Sequence, residues 1–159
     1  MELELEGVKI KVYESGEVHR LYKKGWVLRT GSKNTNGYIK TKINKKTFAI
    51  HRIVYKAFNP DWDMTDSSPD NQIDHINRVR DDNRIINLRV ANNSQNQQNQ
   101  NVKGYHWCNY NKYWRAQIRI HNATRTIHCK TEEEAIQAVH ELRTKYYEFY
   151  ERTEIPDGL

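Results

Sequence analysis

The spacing of apolar residues changes at His51, and this change constrains the fold more than any other feature of the chain. Before it, apolar and basic residues alternate over residues 8–12 and 38–43, which is the period of a strand with one buried face. After it, the apolar residues follow a helical stripe that Asn59 and Pro60 end. We therefore expect antiparallel β structure followed by a helix. His51, at the start of that helix, is a candidate ligand, cap or packing residue.

The second alternating segment, residues 38–43, is followed by the polar residues 44–46 and then by the apolar residues 48–50. This order predicts a hairpin in which the two apolar segments pair. Lys40 and Lys42 would share one face of it, while Ile39 and Ile43 would be buried on the other. The lysine pair has two interpretations: a solvated sheet face, or a basic ridge over a DNA backbone. The pattern leaves both open.

The last third of the chain predicts a sheet backed by one helix. Residues 104–107, 112–120 and 126–129 are strand-like. Residues 131–134 form a capping box, the usual start of a helix. Beyond the box, one apolar stripe consists of Ala135, Ala138, Val139, Leu142, Tyr146 and Phe149. Such a stripe is core packing against a sheet.

Composition limits the classes of partner and compartment. The 26 Lys and Arg exceed the 20 Asp and Glu, so the net charge is +6. This positive charge favours a polyanionic binding partner, and nucleic acid is the simplest candidate. Binding to a membrane surface, or a need for solubility alone, would also explain the charge. No apolar run approaches the roughly 20 residues of a membrane span, and the N-terminus is not a signal peptide. Cys108 and Cys129 lack the spacing of a zinc site and suit a reducing, cytoplasmic compartment.

Asp74 and His75 are the residues most suggestive of catalysis. They end one short apolar segment, and a second apolar segment with Leu88 and Val90 follows. An adjacent carboxylate and imidazole can divide metal-assisted hydrolysis, since the carboxylate holds a divalent cation and the imidazole activates water. The pair favours an enzyme that cuts phosphodiester bonds.

The tract 92–101 has two interpretations. Its composition of Asn, Gln and one Ser is typical of a low-complexity linker. Alternatively, Asn92, Asn93 or Ser94 caps a short helix. Asn96, Asn99 and Gln100 would then share one helical face.

Three ordered motifs give the chain a resemblance to the HNH nuclease family, in particular to phage and intron-encoded HNH homing endonucleases. The resemblance runs from about residue 54 to residue 99. The motifs read His51-Arg52-Ile53-Val54 with Ala57-Phe58, then Ile73-Asp74-His75-Ile76 with Asn83-Arg84 and Asn87-Leu88-Arg89, then Ser94-Gln95-Asn96. In that family these motifs build a ββα-metal catalytic centre.

The resemblance implies a role for each central residue. His75 is the general base that activates water. Asp74 and Asn96 hold one divalent cation per active site, Mg²⁺ or Mn²⁺. Asn87 tethers the two strands and orients the loop that holds His75.

Two positions depart from the family pattern. The last motif position is Asn96 rather than His, which implies an oxygen-rich site selective for Mg²⁺ over Zn²⁺. After His75 the family often has Asp-Gly-Asn, whereas this chain has residues 77–79 as Asn-Arg-Val. The turn thus lacks its glycine, and Arg78 and Arg80 become candidate phosphate contacts.

Residues 103–150 resemble the Apetala-type domain of plant ethylene-response factors, through Gly104-Tyr105-His106-Trp107, residues 113–119 and residues 131–135. That family lays a three-stranded sheet in the major groove of DNA. Strand alternation separately places Arg115, Gln117 and Arg119 on the face away from the helix. Arg and Gln suit guanine and adenine edges, and a solvated face is the alternative. Further candidates for DNA contact are Arg125, His106 and Trp107.

The sequence as a whole predicts an α+β endonuclease that hydrolyses duplex DNA, as a monomer or weak dimer. We expect a basic β region at 1–50, a ββα-metal domain at 51–101, an Apetala-type domain at 102–152, and a flexible tail at 153–159. One rival is a catalytically inert, sequence-specific DNA-binding protein with a regulatory or recombination-accessory role. A second is an RNA-processing or RNA-binding protein, because basic β surfaces with Tyr and Trp also suit single strands.

Overall fold

The fold is described from a computed structural model, which covers residues 1–100, 102–120 and 123–150. The chain divides into two compact units, residues 1–92 and 93–159. All strand pairs in the described residues are antiparallel, as the sequence predicts. The expected flexible tail at 153–159 lies outside the described residues.

The first unit begins with two small sheets. The four-stranded sheet contains β1 (Glu2–Leu5), β2 (Val8–Val12), β3 (Val18–Tyr22) and β4 (Gly25–Leu28), paired in chain order. The three-stranded sheet contains β5 (Ser32–Lys33), β6 (Ile39–Ile43) and β7 (Lys46–Ala49). Both are meanders of short strands, which suits a segment whose apolar residues alternate.

The predicted hairpin forms between β6 and β7. Its central residues Asn44 and Lys45 have φ angles of 46° and 71°, and two successive positive φ values match the twist of the flanking strands. Lys40 and Lys42 are exposed on β6, while Ile43 on the other face is fully buried. The alternation in the sequence therefore corresponds to the two faces of the strand.

The rest of the first unit is a helix and a hairpin. The helix α1 (Ile50–Phe58) follows β7 directly, and the hairpin pairs β8 (Gln72–His75) with β9 (Leu88–Ala91). A short 3₁₀ turn, Ile85–Asn87, leads into β9. The helical stripe expected after His51 is therefore present, and it ends before Pro60.

One hydrophobic core joins all parts of the first unit. Its buried members are Ile10, Val12, Val18, Ile43, Ile50, Ile53, Val54, Ala57, Ile73 and Leu88. They come from the four-stranded sheet, the β6 strand, the α1 helix and the β8–β9 hairpin. The boundary expected between residues 50 and 51 thus falls inside a shared core, because α1 buries its stripe against strands that precede it.

The second unit contains α2 (Asn93–Gln98), β10 (Tyr105–Cys108), β11 (Tyr113–Ile120), β12 (Ala123–Cys129) and α3 (Glu132–Tyr146). The tract 92–101 therefore forms a short helix over most of its described length. The three strands form a sheet in chain order, and α3 packs against it. The core of this unit contains Ala116, Cys129, Ala135, Ala138 and Val139.

The start of α3 follows the capping prediction. The Thr131 hydroxyl accepts the Glu134 N–H at 3.2 Å, and the Glu134 carboxylate accepts the Lys130 N–H at 2.7 Å. The helix ends at Tyr146, so Phe149 of the predicted stripe lies beyond it. Neither Cys108 nor Cys129 forms a disulfide. No helix among the described residues has both the length and the apolar character needed to cross a membrane.

Candidate active site

The β8–β9 hairpin places Asp74 and His75 in the interior of the first unit. Asp74 pairs with Arg89 across the hairpin, and His75 pairs with Leu88. Only 6% of Asp74 and 3% of His75 is exposed. A buried carboxylate and a buried imidazole each need a polar partner, because burial without one costs several kcal/mol. Both residues have such partners.

Arg89 balances the charge of Asp74. Its Nε donates to Asp74 Oδ2 at 2.9 Å, and its Nη2 lies 2.9 Å from the same oxygen. Both groups are mostly buried, so the ion pair is only weakly screened by water. The pair fixes the orientation of the carboxylate relative to the hairpin.

The imidazole of His75 is held by Asn83. Its Nε2 lies 3.2 Å from Asn83 Oδ1. An amide oxygen only accepts, so this contact makes Nε2 the protonated nitrogen and gives Nδ1 the lone pair. Burial lowers the pKa of His75 below its ordinary value, against the opposing effects of the Asn83 hydrogen bond and of Asp74. The ring is therefore neutral near pH 7, as a general base must be.

Two further aromatic rings surround His75. The ring of His51 meets it edge-on with 5.1 Å between centroids. The ring of Tyr38 lies 5.2 Å from that of His51 and 5.7 Å from that of His75. Burial, followed by the proximity of His75, lowers the pKa of His51 to about 3. His51 is thus a neutral packing residue of the site rather than a cap, since Ala49 is the N-cap of α1.

Asn87 joins the β9 end of the hairpin to the loop that follows His75. Its side-chain oxygen accepts the Asn77 N–H at 2.9 Å, and its Nδ2 donates to Asn77 Oδ1 at 2.9 Å and to the Asp82 carbonyl at 2.8 Å. Its own carbonyl accepts the Ile76 N–H at 2.9 Å. These contacts are those of a residue that tethers the two strands and positions the loop.

The turn at residues 77–79 forms without a glycine. Arg78 adopts a φ of 65°, the left-handed region in which a side chain costs roughly 1 kcal/mol. Its N–H donates to the His75 carbonyl at 2.9 Å, and Asn77 Oδ1 accepts the Val79 N–H at 2.9 Å. The asparagine side chain closes the turn by imitating a backbone carbonyl, so local hydrogen bonds hold Arg78 where the family often has glycine.

Arg80, predicted to contact phosphate, lies beside the aromatic group. Its guanidinium is 5.2 Å from the ring centroid of Tyr38, and Nη1 donates to the Asn36 carbonyl at 2.9 Å. Nearby, the Arg84 guanidinium binds Asp82 and holds the pKa of that carboxyl at about 2. The loop after His75 is therefore rich in charge and well anchored.

Tyr38 and Asn83 are members of the site that sequence reasoning did not assign. Asn83 stands in the motif Asn83-Arg84, which is the signal that could have found it. Tyr38 precedes Ile39 in an alternating strand and carries no local sign of a role at His75. Asn96 lies on α2 of the second unit, and its predicted role as a metal ligand stays a prediction. No group of three or more His, Cys, Asp or Glu suited to a metal occurs among residues 1–100, 102–120 and 123–150.

The predicted DNA-contact face of the second unit is an outer sheet surface. Arg115 pairs with His106 and His128, Gln117 with Thr126, and Arg119 with Thr124. Alternation sets these residues opposite the buried Ala116 and Ile118, which face α3. Tyr113 stacks on His128 with 4.2 Å between centroids, and its hydroxyl accepts Arg115 Nη2 at 3.0 Å.

Arg125 belongs to the other face of that sheet. It pairs with Ile118 on β11, and its guanidinium lies 5.6 Å from the ring centroid of Tyr146 on α3. Trp107 likewise pairs with Trp114, the two rings meeting edge-on at 5.6 Å. The structure thus groups Arg115, Gln117 and Arg119 with His106, and it separates Arg125 and Trp107 from them.

Comparison with known proteins assigns the central segment. Residues 48–98, about a third of the chain, match the family model of the HNH endonuclease. Over this segment, which includes Asp74 and His75, the chain is therefore similar to the HNH endonuclease domain. No curated protein matches the chain.

A solved structure of the HNH homing endonuclease I-HmuI, determined in a study of its DNA binding and cleavage, is also similar. The identity is 19%, the match covers 89% of this chain and 82% of that one, and the TM-score is 0.43.

Proposed function

We propose that this chain, which carries an HNH endonuclease domain in residues 48–98, is a metal-dependent endonuclease that hydrolyses phosphodiester bonds in duplex DNA. The observation that carries the proposal is the buried imidazole of His75, oriented by Asn83 and adjacent to the carboxylate of Asp74. The resemblance of the three sequence motifs to those of homing endonucleases supports the choice of DNA as the substrate.

His75 is the general base. Because Nε2 is engaged with Asn83 Oδ1, Nδ1 is the nitrogen that takes the proton from the attacking water. His51 and Tyr38 limit the motion of the ring through edge and tilted contacts. Asn87 does not act on the water itself. It positions His75 indirectly, because its hydrogen bonds to Asn77 and Asp82 hold the loop between His75 and Asn83.

The donor chemistry of the chain fits a hard divalent cation. Asp74 would supply a carboxylate oxygen, and the resemblance implies Asn96 as a second ligand through its amide oxygen; Mg²⁺ and Mn²⁺ prefer such ligands in proteins. A bound ion would supply charge stabilisation at the phosphate and at the departing 3′-oxygen. Asp74 would then serve both the ion and Arg89, whose guanidinium keeps the carboxylate oriented.

Two basic surfaces supply DNA affinity in this proposal. In the first unit, Lys40 and Lys42 are exposed on β6, and Arg78 and Arg80 lie in the loop after His75. In the second unit, the outer sheet face presents Arg115, Gln117 and Arg119, the arrangement that the resemblance to Apetala-type domains implies for reading the major groove. A centre that needs few residues for chemistry must obtain specificity from such flanking surfaces.

The Arg89–Asp74 ion pair favours a second candidate function. It places a guanidinium on the carboxylate that should hold the cation. A nuclease-derived, sequence-specific DNA-binding protein without catalytic activity would retain such a pair. Metal-dependent cleavage separates the two candidates, because an inert protein binds DNA but does not nick it.

The test compares wild type, His75→Ala and Asp74→Asn on supercoiled plasmid with Mg²⁺, with Mn²⁺ and with EDTA. His140→Ala is the control, since His140 lies on α3 in the second unit and contacts Tyr150. We expect nicking by wild type and control only, and only with metal. Equal nicking by wild type and His75→Ala would overturn the assignment of the base. Preferential cleavage of RNA in a competition with duplex DNA would overturn the substrate.

A further inference from the structure

The turn between β2 and β3 lies against the segment that holds the partner of His75. In this turn the Gly16 N–H donates to the Tyr13 carbonyl at 3.0 Å, and the Tyr13 N–H donates to the Glu17 carbonyl at 3.0 Å. The Glu14 carbonyl accepts the Ile85 N–H at 3.0 Å. The four-stranded sheet therefore reaches the loop between β8 and β9 through a direct backbone hydrogen bond.

Gly16 is the point of closest approach between the two segments. A Cβ at this position would lie 2.7 Å from both the carbonyl carbon and the carbonyl oxygen of Asn83, and 3.1 Å from the Arg84 nitrogen. These distances are well inside the roughly 3.5–4.0 Å of an ordinary carbon contact. Because the neighbouring atoms are backbone rather than the end of a flexible side chain, any side chain at position 16 displaces Asn83.

Asn83 has little freedom to compensate for such a displacement. It is 6% exposed. Its N–H and its Nδ2 both contact the Asp81 carbonyl, at 3.1 Å and 3.2 Å. Its Oδ1 contacts His75 Nε2 at 3.2 Å. A shift of the Asn83 backbone is therefore passed to the hydrogen bond that orients the imidazole.

We propose that Gly16 is a positioning residue for His75, acting through the backbone and side chain of Asn83. This inference rests on the proposed function for its catalytic consequence. It gives the N-terminal sheet a role in the active site, in addition to the predicted role in DNA contact. Because Gly16 has no side chain, the β2–β3 turn can pack directly against the backbone of Asn83.

The test substitutes Gly16 by Ala and by Asn. Gly16 has a φ of +88°, so alanine introduces backbone strain as well as a steric contact. Asparagine tolerates this region better and isolates the steric effect. The matched controls are Gly7→Ala and Gly25→Ala, because these glycines also have positive φ, of +72° and +117°, but an added Cβ meets nothing within 4 Å.

We expect both Gly16 variants to lower kcat by roughly tenfold or more, since a small misplacement of a catalytic group is costly. KM for plasmid should stay within twofold, and the controls should keep the wild-type kcat. In ¹⁵N spectra of the folded proteins, the ring nitrogens of His75 should shift in the Gly16 variants only. Unchanged kcat and unchanged His75 signals in folded Gly16→Asn would overturn the inference, as would an equal kcat loss in the controls.

One measurement uses the unmodified protein, in case the Gly16 variants fail to fold. The Ile85 amide should exchange slowly with solvent, because it donates to the Glu14 carbonyl. Rapid exchange at Ile85 would overturn the inference. The spectra and the exchange rates do not depend on cleavage, so they distinguish a failure of this inference from a failure of the proposed function.

Discussion

The imidazole of His51 meets that of His75 edge-on, with 5.1 Å between ring centroids, and both rings are buried. Two imidazolium ions at this separation would repel one another in a region with little water. The arrangement therefore excludes protonation of both rings at once, and burial favours the neutral form of each ring by lowering its pKa. This requirement links catalysis to stability, because the same protonation that stops His75 from acting as a base also opposes the fold.

Acidification should destabilise the protein through His51. Its pKa falls from 6.5 to about 3 on folding, so the unfolded chain binds the proton first. The stability due to neutral His51 is complete above pH 6.5 and is lost as the pH falls from there toward 3. The linkage relation gives a loss of about 2 kcal/mol between pH 7 and pH 5. Urea unfolding at both pH values measures it.

His51→Gln is the matched variant for this measurement, since glutamine is polar but does not titrate. We expect a smaller loss of stability between pH 7 and pH 5, although not zero, because burial lowers the pKa of His75 in the same direction. An identical loss in His51→Gln and wild type would show that His51 does not carry the effect.

The Asp74–Arg89 ion pair should stabilise the hairpin independently of catalysis. Asp74→Ala removes the carboxylate that binds a mostly buried guanidinium, at an expected cost of about 2 to 3 kcal/mol in unfolding free energy. The double variant Asp74→Ala with Arg89→Met should regain at least about 1 kcal/mol while cleavage remains absent. Denaturant unfolding of the three proteins tests this, and a single variant as stable as wild type would contradict it.

Arg78→Gly should separate loop geometry from DNA contact. Glycine adopts the φ of 65° without strain, so we expect the stability to rise by up to about 1 kcal/mol. If Arg78 contacts phosphate, DNA binding should weaken and its salt dependence should decrease by about one ion. Lys45→Gly, at φ 71° in the β6–β7 turn, is the control for the stability change. An unchanged salt dependence for Arg78→Gly would remove this residue from the DNA interface.

Arg119→Ala should alter site selection more than turnover. Arg119 is exposed on the outer sheet face, where a lost base or phosphate contact weakens specificity without touching the catalytic centre. Arg125→Ala is the control, because Arg125 lies on the opposite face beside Tyr146. Mapping of cleavage sites on long DNA, and kcat at saturating DNA, provide the two readouts. Equal effects of the two substitutions on site selection would contradict the assignment of the DNA-reading face.

Local periodicity predicted most of the elements but not all of their ends. The helix over residues 50–58, the β6–β7 hairpin and the α3 cap follow from spacing and capping chemistry that a short window contains. The third strand of the second unit is different. Its pattern predicts residues 126–129, whereas β12 begins at Ala123, because pairing with β11 extends the strand over Thr124 and Arg125, where no apolar alternation marks it. The same pairing decides which face Arg125 occupies.

The sequence by itself determined the HNH motifs, the adjacency of Asp74 and His75, and the alternation that puts Arg115 and Arg119 on one side of a strand. These are local properties, since they depend on covalent spacing and on the period of the backbone. Only the tertiary structure decided that Tyr38 and His51 pack around His75, that Asn83 orients it, and that Gly16 lies against Asn83. The contacts of Tyr38, His51 and Gly16 join residues far apart in the chain, and burying one shared apolar core brings them together; the Asn83 contact depends on how the loop between β8 and β9 folds back on His75.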